Sequence, residues 1–308
     1  MWRAERKRIA VLLMCLCFGA PALAAGPDVT PLVSSVWLAE HLDDDELVVL
    51  DLRSARDFER GHVPGAVRTD FPDLWYSERD GIPARRPEIN ALETHLTELG
   101  ISNETTVVVV SASLSINDLT GATWVYWNLK YLGHDRVAIL DGGWDDWSFF
   151  NDLRVEEGPT TPTPADPFVA DPREEILAET DYVVERYEGG ATLIDARSIR
   201  NYSGAQTLAN IELRPGHIPG AINVPNDVFY DGSTVRFAEQ AVLEAQVPPE
   251  LSDRTMPLIV YCSIGRASSM SWFVFHELLG YEDVRLYEAS MAAWTRRDDL
   301  PLVTGEAP

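Results

Sequence analysis

The chain contains one long pattern of residues twice, in the same order. The first copy reads VVLDLRSARDFERGHVPGA over 48–66, and the second reads TLIDARSIRNYSG from Thr192 and RPGHIPGAINVP from Arg214. A later part of the pattern reads LGHDRVAILDGGWDDW over 132–147 and LGYEDVRLYEASMAAW over 279–294. Self-similarity in a fixed order is typical of a duplicated unit. The 308 residues are enough for two such domains.

Within each copy, short apolar runs alternate with segments of helical length. In the second copy the runs are Thr192–Ala196, Pro257–Cys262 and Val284–Tyr287. They lack polar alternation, as expected for strands of a parallel sheet that are buried on both faces. The segments Asp118–Leu132 and Ser268–Leu279 have the apolar periodicity of helices. The sequence therefore predicts the α/β class, with two tandem domains that each contain a mainly parallel sheet flanked by helices.

A stretch rich in proline and threonine separates the two copies. It begins EEGPTTPTPADP and extends over 156–175, and its composition is typical of a semi-rigid linker. We therefore predict a first domain over 28–155, the linker over 156–175 and a second domain over 176–305. The second copy also contains extra residues, 205–213, between the two halves of its first motif.

The N-terminus has the parts of an export signal. Basic residues come first, the apolar run Ile9–Phe18 follows, and the small residues of Ala22-Leu23-Ala24 come last. The apolar run is too short to span a bilayer comfortably, and the small-x-small triplet is typical of a cleavage site. We predict a signal peptide over 1–24 and a periplasmic or secreted product that has no membrane segment after cleavage. The alternative is an uncleaved anchor.

The composition is strongly acidic, with 25 Lys and Arg residues against 49 Asp and Glu residues and a formal net charge of -24. A surface with this charge repels nucleic acid and anionic lipid, so neither is an expected partner. A site for a small anion must then be built locally from arginine side chains.

Cys262 is the one cysteine outside the predicted signal peptide, because Cys15 and Cys17 lie within it. A lone cysteine forms neither an internal disulfide nor a metal site made of a cysteine cluster. The sequence predicts no metal and no other cofactor. Cys262 ends the apolar run PLIVY, and the next predicted helix begins a few residues later. The cysteine is therefore expected at the carboxyl end of a parallel strand, where ligand sites of such sheets lie.

The residues after Cys262 are suited to stabilising a negative charge on sulfur. Gly265 allows a tight turn, and Arg266 adds a fixed positive charge. Backbone N–H groups and a helix N-terminus facing the sulfur favour the thiolate, which is the nucleophilic form. We predict that Cys262 is catalytic, and the alternative is an inert cysteine buried at a strand end. The predicted active-site loop comprises Ser263, Ile264, Gly265, Arg266, Ala267 and Ser268.

Taken together, these motifs resemble the tandem-domain rhodanese family. They are DxR followed by GHIPGA, a strand that ends in a single cysteine, a short glycine-containing loop and the segment from LG to tryptophan. YCSIGRASSMSWFVFHELLG is particularly similar to bacterial thiosulfate sulfurtransferases, whose loop reads CRIGERSS. The family implies that Cys262 takes sulfur from a small anionic donor such as thiosulfate, carries it as a persulfide and passes it to a thiophilic acceptor such as cyanide. It also implies an inactive first domain, and the first copy has Ser111 after its strand and no cysteine.

Arg200, Arg214 and Arg266 are the predicted donor-binding residues. The resemblance places Arg200 and Arg214 where related enzymes hold an anionic donor, and a guanidinium suits sulfonate or carboxylate oxygens. A surface ion pair is the alternative for both. Arg266 favours thiosulfate as donor, because the mercaptopyruvate sulfurtransferases of the family usually have an uncharged loop such as CGSGVT.

Two related functions remain open on sequence grounds. A 3-mercaptopyruvate sulfurtransferase would use the same Cys262, and so would a non-catalytic periplasmic persulfide carrier that delivers sulfur to an acceptor protein. A cysteine phosphatase is disfavoured, because it needs arginine at the sixth position after the cysteine, and that position is Ser268.

Three segments depart from the pattern of these relatives. Ala267 occupies the position of the arginine in CRIGERSS. The triplet Glu288-Ala289-Ser290 replaces the usual Asp-Gly-Ser or Asp-Gly-Gly, although the first copy retains Asp141-Gly142-Gly143. Asn210-Ile211-Glu212 lies in the extra segment, where relatives tend to be more basic. We expect the first change to affect the preferred donor and the second to affect access to the cleft.

Overall fold

A computed structural model describes residues 27–189, 191–208, 211–212 and 214–308, and the predicted signal peptide lies outside them. The strands of the first domain are β1 (Leu32–Val33), β2 (Leu47–Asp51), β3 (Val67–Arg68), β4 (Ser77–Arg79), β5 (Ile82–Arg85), β6 (Thr106–Val110) and β7 (Val137–Leu140). Its helices are α1 (Ser35–His41), α2 (Ala55–Glu59), α3 (Ile89–Glu98), α4 (Ile116–Tyr131) and α5 (Gly143–Asp145), which continues as a π-helical turn over Asp146–Phe150. The main sheet has the parallel order β1-β7-β6-β2-β3, and β4 and β5 form a separate antiparallel hairpin.

The second domain has the same plan. Its strands are β8 (Thr192–Asp195), β9 (Ile222–Asn223), β10 (Tyr230–Asp231), β11 (Arg236–Phe237), β12 (Leu258–Tyr261) and β13 (Val284–Leu286). Its helices are α6 (Thr180–Glu188), α7 (Ile199–Tyr202), α8 (Gln240–Ala245), α9 (Arg266–Trp272), which continues as a π-helix over Phe273–Leu278, and α10 (Ser290–Trp294); short 3-10 turns lie at Glu174–Ile176, Asn226–Phe229 and Pro249–Leu251. The parallel order β13-β12-β8-β9 matches β7-β6-β2-β3. The predicted fold class is therefore confirmed.

The uninterrupted apolar runs are explained by burial on both faces of each sheet. Every residue of β6 and β12 is buried. On β6, Val107 and Val109 pack into a hydrophobic cluster that both domains share, whereas Val108 and Val110 pack into a separate cluster on the opposite face. Because successive side chains of a strand point to opposite faces, a strand in this position needs apolar residues at every position.

The two domains pack through α4 and α9, the helices that follow the central strands. The Oγ1 atom of Thr123 and the Oγ atom of Ser269 lie 2.9 Å apart. The rings of Tyr126 and Phe273 meet edge to face with centroids 4.8 Å apart. Since α9 follows the loop of Cys262, this packing places that loop against the first domain.

Each domain also extends its antiparallel hairpin to the other domain. Arg85 of the β4–β5 hairpin donates to Glu288 of the second domain over 2.6 Å. Arg236 of the β10–β11 hairpin donates to Asp146 of the first domain and lies 3.9 Å from Asp141. The two ion pairs are counterparts within the repeat, because Glu288 and Asp141 follow equivalent strands.

The predicted linker segment, 156–175, lies along the first domain and contacts it at several points. The Thr160 hydroxyl donates to the backbone carbonyl of Ala66, and the N–H of the buried Phe168 donates to the hydroxyl oxygen of Thr97 in α3. Arg173 pairs with Asp135 at 2.5 Å. Among the described residues, no helix is long and apolar enough to cross a membrane.

Candidate active site

Cys262 directly follows β12 and lies in a tight loop that ends where α9 begins. Its Sγ atom accepts a hydrogen bond from the backbone N–H of Gly265 at 3.1 Å. The Ser268 hydroxyl lies 3.4 Å from the same sulfur and donates to the carbonyl of Gly265 at 2.9 Å. The loop turns back at Gly265, whose φ is +88°, a conformation that glycine adopts without strain. Cys262 is only 2% exposed. A backbone donor fixed at the sulfur atom of a buried cysteine suits a sulfur that bears negative charge.

The start of α10 holds the loop of Cys262 in place through hydrogen bonds. The N–H of Cys262 donates to the Ser290 hydroxyl at 3.0 Å, and this hydroxyl donates to the carbonyl of Tyr287 at 2.6 Å. The N–H groups of Met291 and Ala292 donate to the carbonyls of Cys262 and Ser263. Ser290 was identified from the sequence only as part of a departure, and the structure makes it a direct support of the nucleophile.

Glu212 ties the extra segment to the active-site loop. Its carboxylate is buried and accepts bonds from the hydroxyl of Ser263 at 2.6 Å and from Arg197 at 3.0 Å. The other carboxylate oxygen accepts from the N–H of Leu208 at 3.1 Å. The acidic residue that departs from the relatives therefore positions Ser263, the immediate neighbour of Cys262.

Replacing Glu212 with glutamine is expected to lower kcat/KM for the sulfur donor about tenfold and stability by about 1–3 kcal/mol, because a buried bond to a charged group is weakened. Steady-state kinetics and the thermal midpoint measure the two effects. Ser263→Ala is the matched control, since it removes the same bond from the loop side and leaves the pair of Glu212 with Arg197 intact. It should lower kcat/KM with a smaller loss of stability. Unchanged kinetics in both variants would contradict a positioning role for Glu212.

Arg266 lies where the two domains meet. It donates to the carbonyl of Asn117 in the first domain, and its guanidinium lies 5.4 Å from the ring centroid of Phe71. Its buried Nε atom has no hydrogen-bond partner within the described parts of the chain. Arg266 therefore offers one free N–H group at the domain interface, beside the loop of Cys262.

Arg200 and Arg214 are engaged elsewhere in the structure. Arg200 is exposed, and its Nε atom donates to Gln206 at 3.3 Å. Arg214 donates to the backbone carbonyls of Thr295 at 3.1 Å and Arg297 at 2.6 Å, among others at the end of α10. Arg214 would have to leave these carbonyls to hold a donor. The donor-binding role of both residues stays a prediction.

Glu288 anchors the loop to the first domain. It is fully buried, and its backbone packs against Gly265, where an added Cβ would lie 2.5 Å from the Glu288 carbonyl oxygen. Arg85 donates to its carboxylate, as does the N–H of Arg86 at 3.4 Å. Burial raises the pKa of Glu288, and the two arginines oppose that rise. Glu288, the acidic residue of the triplet that departs from the family pattern, thus joins the first domain to the active-site loop.

The first domain keeps a concave surface at the equivalent end of its sheet. Ser111 directly follows β6, as Cys262 follows β12. A cavity of about 340 Å³ opens beside this loop and is lined in part by Ala112, Leu114 and Trp144. The guanidinium of Arg53 covers the Trp144 ring at 3.9 Å. This region lacks a cysteine, so it cannot form a persulfide.

Comparison with known proteins gives consistent matches over most of the chain. Residues 34–149 and 179–297 each match the sequence model of the rhodanese-like domain. The sulfur carrier protein TtuD of Thermus thermophilus is 36% identical over 303 residues, which cover 92% of this chain and 99% of the relative. A Haloferax volcanii protein named "Putative thiosulfate sulfurtransferase" is 33% identical, covering 89% of this chain and 96% of its own.

The solved structures agree on the fold. SseA from Escherichia coli, described in a study of the rhodanese fold and mechanism of 3-mercaptopyruvate sulfotransferases, superposes with a TM-score of 0.71 at 28% identity. The match covers 85% of this chain and 99% of SseA. The relatives thus bear names of three related kinds: sulfur carrier, thiosulfate sulfurtransferase and 3-mercaptopyruvate sulfotransferase.

Proposed function

The chain belongs to the rhodanese family, and from this membership we propose that it is a thiosulfate sulfurtransferase that works through a persulfide on Cys262. Its relatives support a sulfurtransferase function in the broad sense. The observation that carries the proposal is the Gly265 N–H, which donates to the sulfur of Cys262 at 3.1 Å in a tight loop between β12 and α9.

In the first step the Cys262 thiolate attacks the outer sulfur of thiosulfate. A new S–S bond forms on Cys262, the S–S bond of thiosulfate breaks, and its electron pair leaves with sulfite. The persulfide that remains carries a negative charge on its outer sulfur. The N–H of Gly265 already donates to the Sγ atom of Cys262, so this donor needs no reorganisation during the reaction.

In the second step an acceptor such as cyanide attacks the outer sulfur of the persulfide. The C–S bond of thiocyanate forms, the S–S bond to Cys262 breaks, and the thiolate is regenerated. The two steps share one covalent intermediate and give ping-pong kinetics. An acceptor protein with a thiolate could take the place of cyanide in the same step.

The proposal predicts thiocyanate formation from thiosulfate and cyanide that is lost in a Cys262→Ser variant, since a hydroxyl in this site is not an adequate sulfur nucleophile. A discontinuous thiocyanate assay with purified protein measures it. Mass spectrometry after thiosulfate alone should show one added sulfur atom on Cys262. Ser111→Ala is the matched control at the equivalent position of the first domain, and it should retain full activity.

The assay also separates the neighbouring functions. Turnover with 3-mercaptopyruvate but not with thiosulfate would replace the proposed donor and contradict the inference from Arg266. A stable persulfide that forms on Cys262 without turnover to cyanide would favour a sulfur carrier, as the name of the Thermus relative suggests for that protein.

A further inference from the structure

Tyr76 of the first domain directly precedes β4. Its ring stacks on Trp124 with centroids 5.1 Å apart and meets the ring of Phe71 at 5.9 Å. Trp124 is fully buried in α4. Two aromatic contacts, one of them to a rigid core residue, fix the direction in which the phenol hydroxyl points.

The hydroxyl of Tyr76 is buried but has no hydrogen-bond partner within the described chain. A buried hydroxyl without a partner is costly, and native proteins avoid it unless the group has another use. Other buried tyrosines here are satisfied: the hydroxyl of Tyr131 donates to Glu174 at 2.7 Å and accepts from Arg86 at 3.0 Å. Tyr76 therefore holds a buried hydroxyl donor that no group of the described chain accepts.

Tyr76 lies near two charged or reactive side chains of the second domain, Arg266 and Cys262. Burial raises the pKa of Tyr76 well above its ordinary value, the charge of Arg266 lowers it, and the charge of Cys262 raises it further. The hydroxyl thus stays protonated at neutral pH and lies within electrostatic reach of both groups. Phe71 links them in space, because its ring contacts Tyr76 on one side and faces the Arg266 guanidinium on another.

Tyr76 and Arg266 each have a buried donor atom that has no hydrogen-bond partner among the described residues. These are the hydroxyl of Tyr76 and the Nε–H of Arg266. They come from different domains, and the ring of Phe71 contacts both side chains. We propose that Tyr76 and Arg266 together bind the oxygen atoms of an oxoanion sulfur donor, so that Tyr76 is a donor-binding residue contributed by the first domain.

This inference rests on the proposed function and makes its donor class more specific. As the S–S bond of the donor breaks, the electron pair moves to the departing sulfite, and bonds to its oxygens strengthen. A neutral phenol and one guanidinium supply those bonds without a second cation in a chain whose net charge is -24. The cysteine-free first domain then takes a direct part in donor recognition.

The test is titration of thiosulfate into folded Cys262→Ser protein by calorimetry, with and without Tyr76→Phe. Phenylalanine keeps the ring contacts and removes only the hydroxyl. We expect the Kd for thiosulfate to rise about tenfold or more, the usual effect of losing a bond to a charged group. In protein with Cys262 intact, the KM for thiosulfate should rise likewise, while thiocyanate release from preloaded persulfide should keep its rate.

Tyr131→Phe is the matched control and should show the opposite pattern. It loses hydroxyl bonds within the protein, so its thermal midpoint should fall while its Kd for thiosulfate stays unchanged. Tyr76→Phe should keep its thermal midpoint, because no bond within the described chain is lost. Equal Kd values with and without the Tyr76 hydroxyl would overturn the inference, and so would a Cys262→Ser protein that does not bind thiosulfate. Weakened binding in Tyr76→Phe alongside wild-type protein that does not turn over would support the inference and overturn the proposed function.

Discussion

Replacing Arg85 with methionine is expected to lower the free energy of unfolding by about 3 kcal/mol or more, the usual cost of breaking a buried ion pair. The substitution leaves the fully buried carboxylate of Glu288 without its 2.6 Å partner. The Nε atom of Arg86 is 3.9 Å from that carboxylate and does not replace the lost bond. Urea unfolding at pH 7, followed by tryptophan fluorescence, measures the change. Glu288 also packs behind Gly265, so activity should fall with stability.

The repeat supplies a matched control in the other hairpin. Arg236→Met removes the contacts of the second hairpin with the buried Asp146 and with Asp141, the counterpart of Glu288, but the side chain of Arg236 is 38% exposed. Asp146 also keeps its bond from the Ser35 hydroxyl. Solvent screens this pair, so the loss should not exceed about 1 kcal/mol. Equal losses in the two variants would show that burial does not decide the strength of these contacts.

Most of the fold was predictable because its determinants are local or repeated in the sequence. The apolar run over Thr192–Ala196 forms β8, and the central strands contain the expected β-branched residues. The repeated motifs were enough to predict two domains, although no contacts were known. The predicted helix Ser268–Leu279 begins at Arg266 and becomes π-helical from Phe273. Apolar periodicity did not reveal this change, because it does not distinguish an α-helix from a π-helix over a few residues.

The site was predictable only where its chemistry lies in consecutive residues. The order of strand, Cys262, glycine and helix identified the nucleophile loop, and the structure places these residues around one sulfur atom. The contacts that support this loop join distant positions. Ser263 and Glu212 are 51 positions apart, and Arg85 and Glu288 are 203 apart. A single sequence carries no signal for such pairs. Of the residues outside the loop, only Glu212 and Glu288 had been noted in the sequence, because they belong to segments that depart from the family pattern.

Gly265→Ala is expected to lower turnover at least about 100-fold, comparable to the loss of a fixed donor to a developing anion. The new Cβ atom would lie 2.5 Å from the carbonyl oxygen of Glu288 and 3.0 Å from its Cα atom. Both are backbone atoms of Glu288, whose buried carboxylate is bonded to Arg85, so the loop must move instead. That movement withdraws the Gly265 N–H from the sulfur of Cys262, now 3.1 Å away. The thiocyanate assay and the extent of persulfide formation measure the loss.

Gly220→Ala isolates the effect of the close contact from that of backbone conformation. Gly220 has a φ of +79°, similar to the +88° of Gly265, but an added Cβ meets no atom within 4 Å. Both substitutions place alanine in the left-handed region at a cost of about 1–2 kcal/mol. Gly220→Ala should therefore lose stability and keep its turnover, whereas Gly265→Ala should lose both. Near-normal turnover in Gly265→Ala would mean that the reactivity of the sulfur does not depend on this N–H.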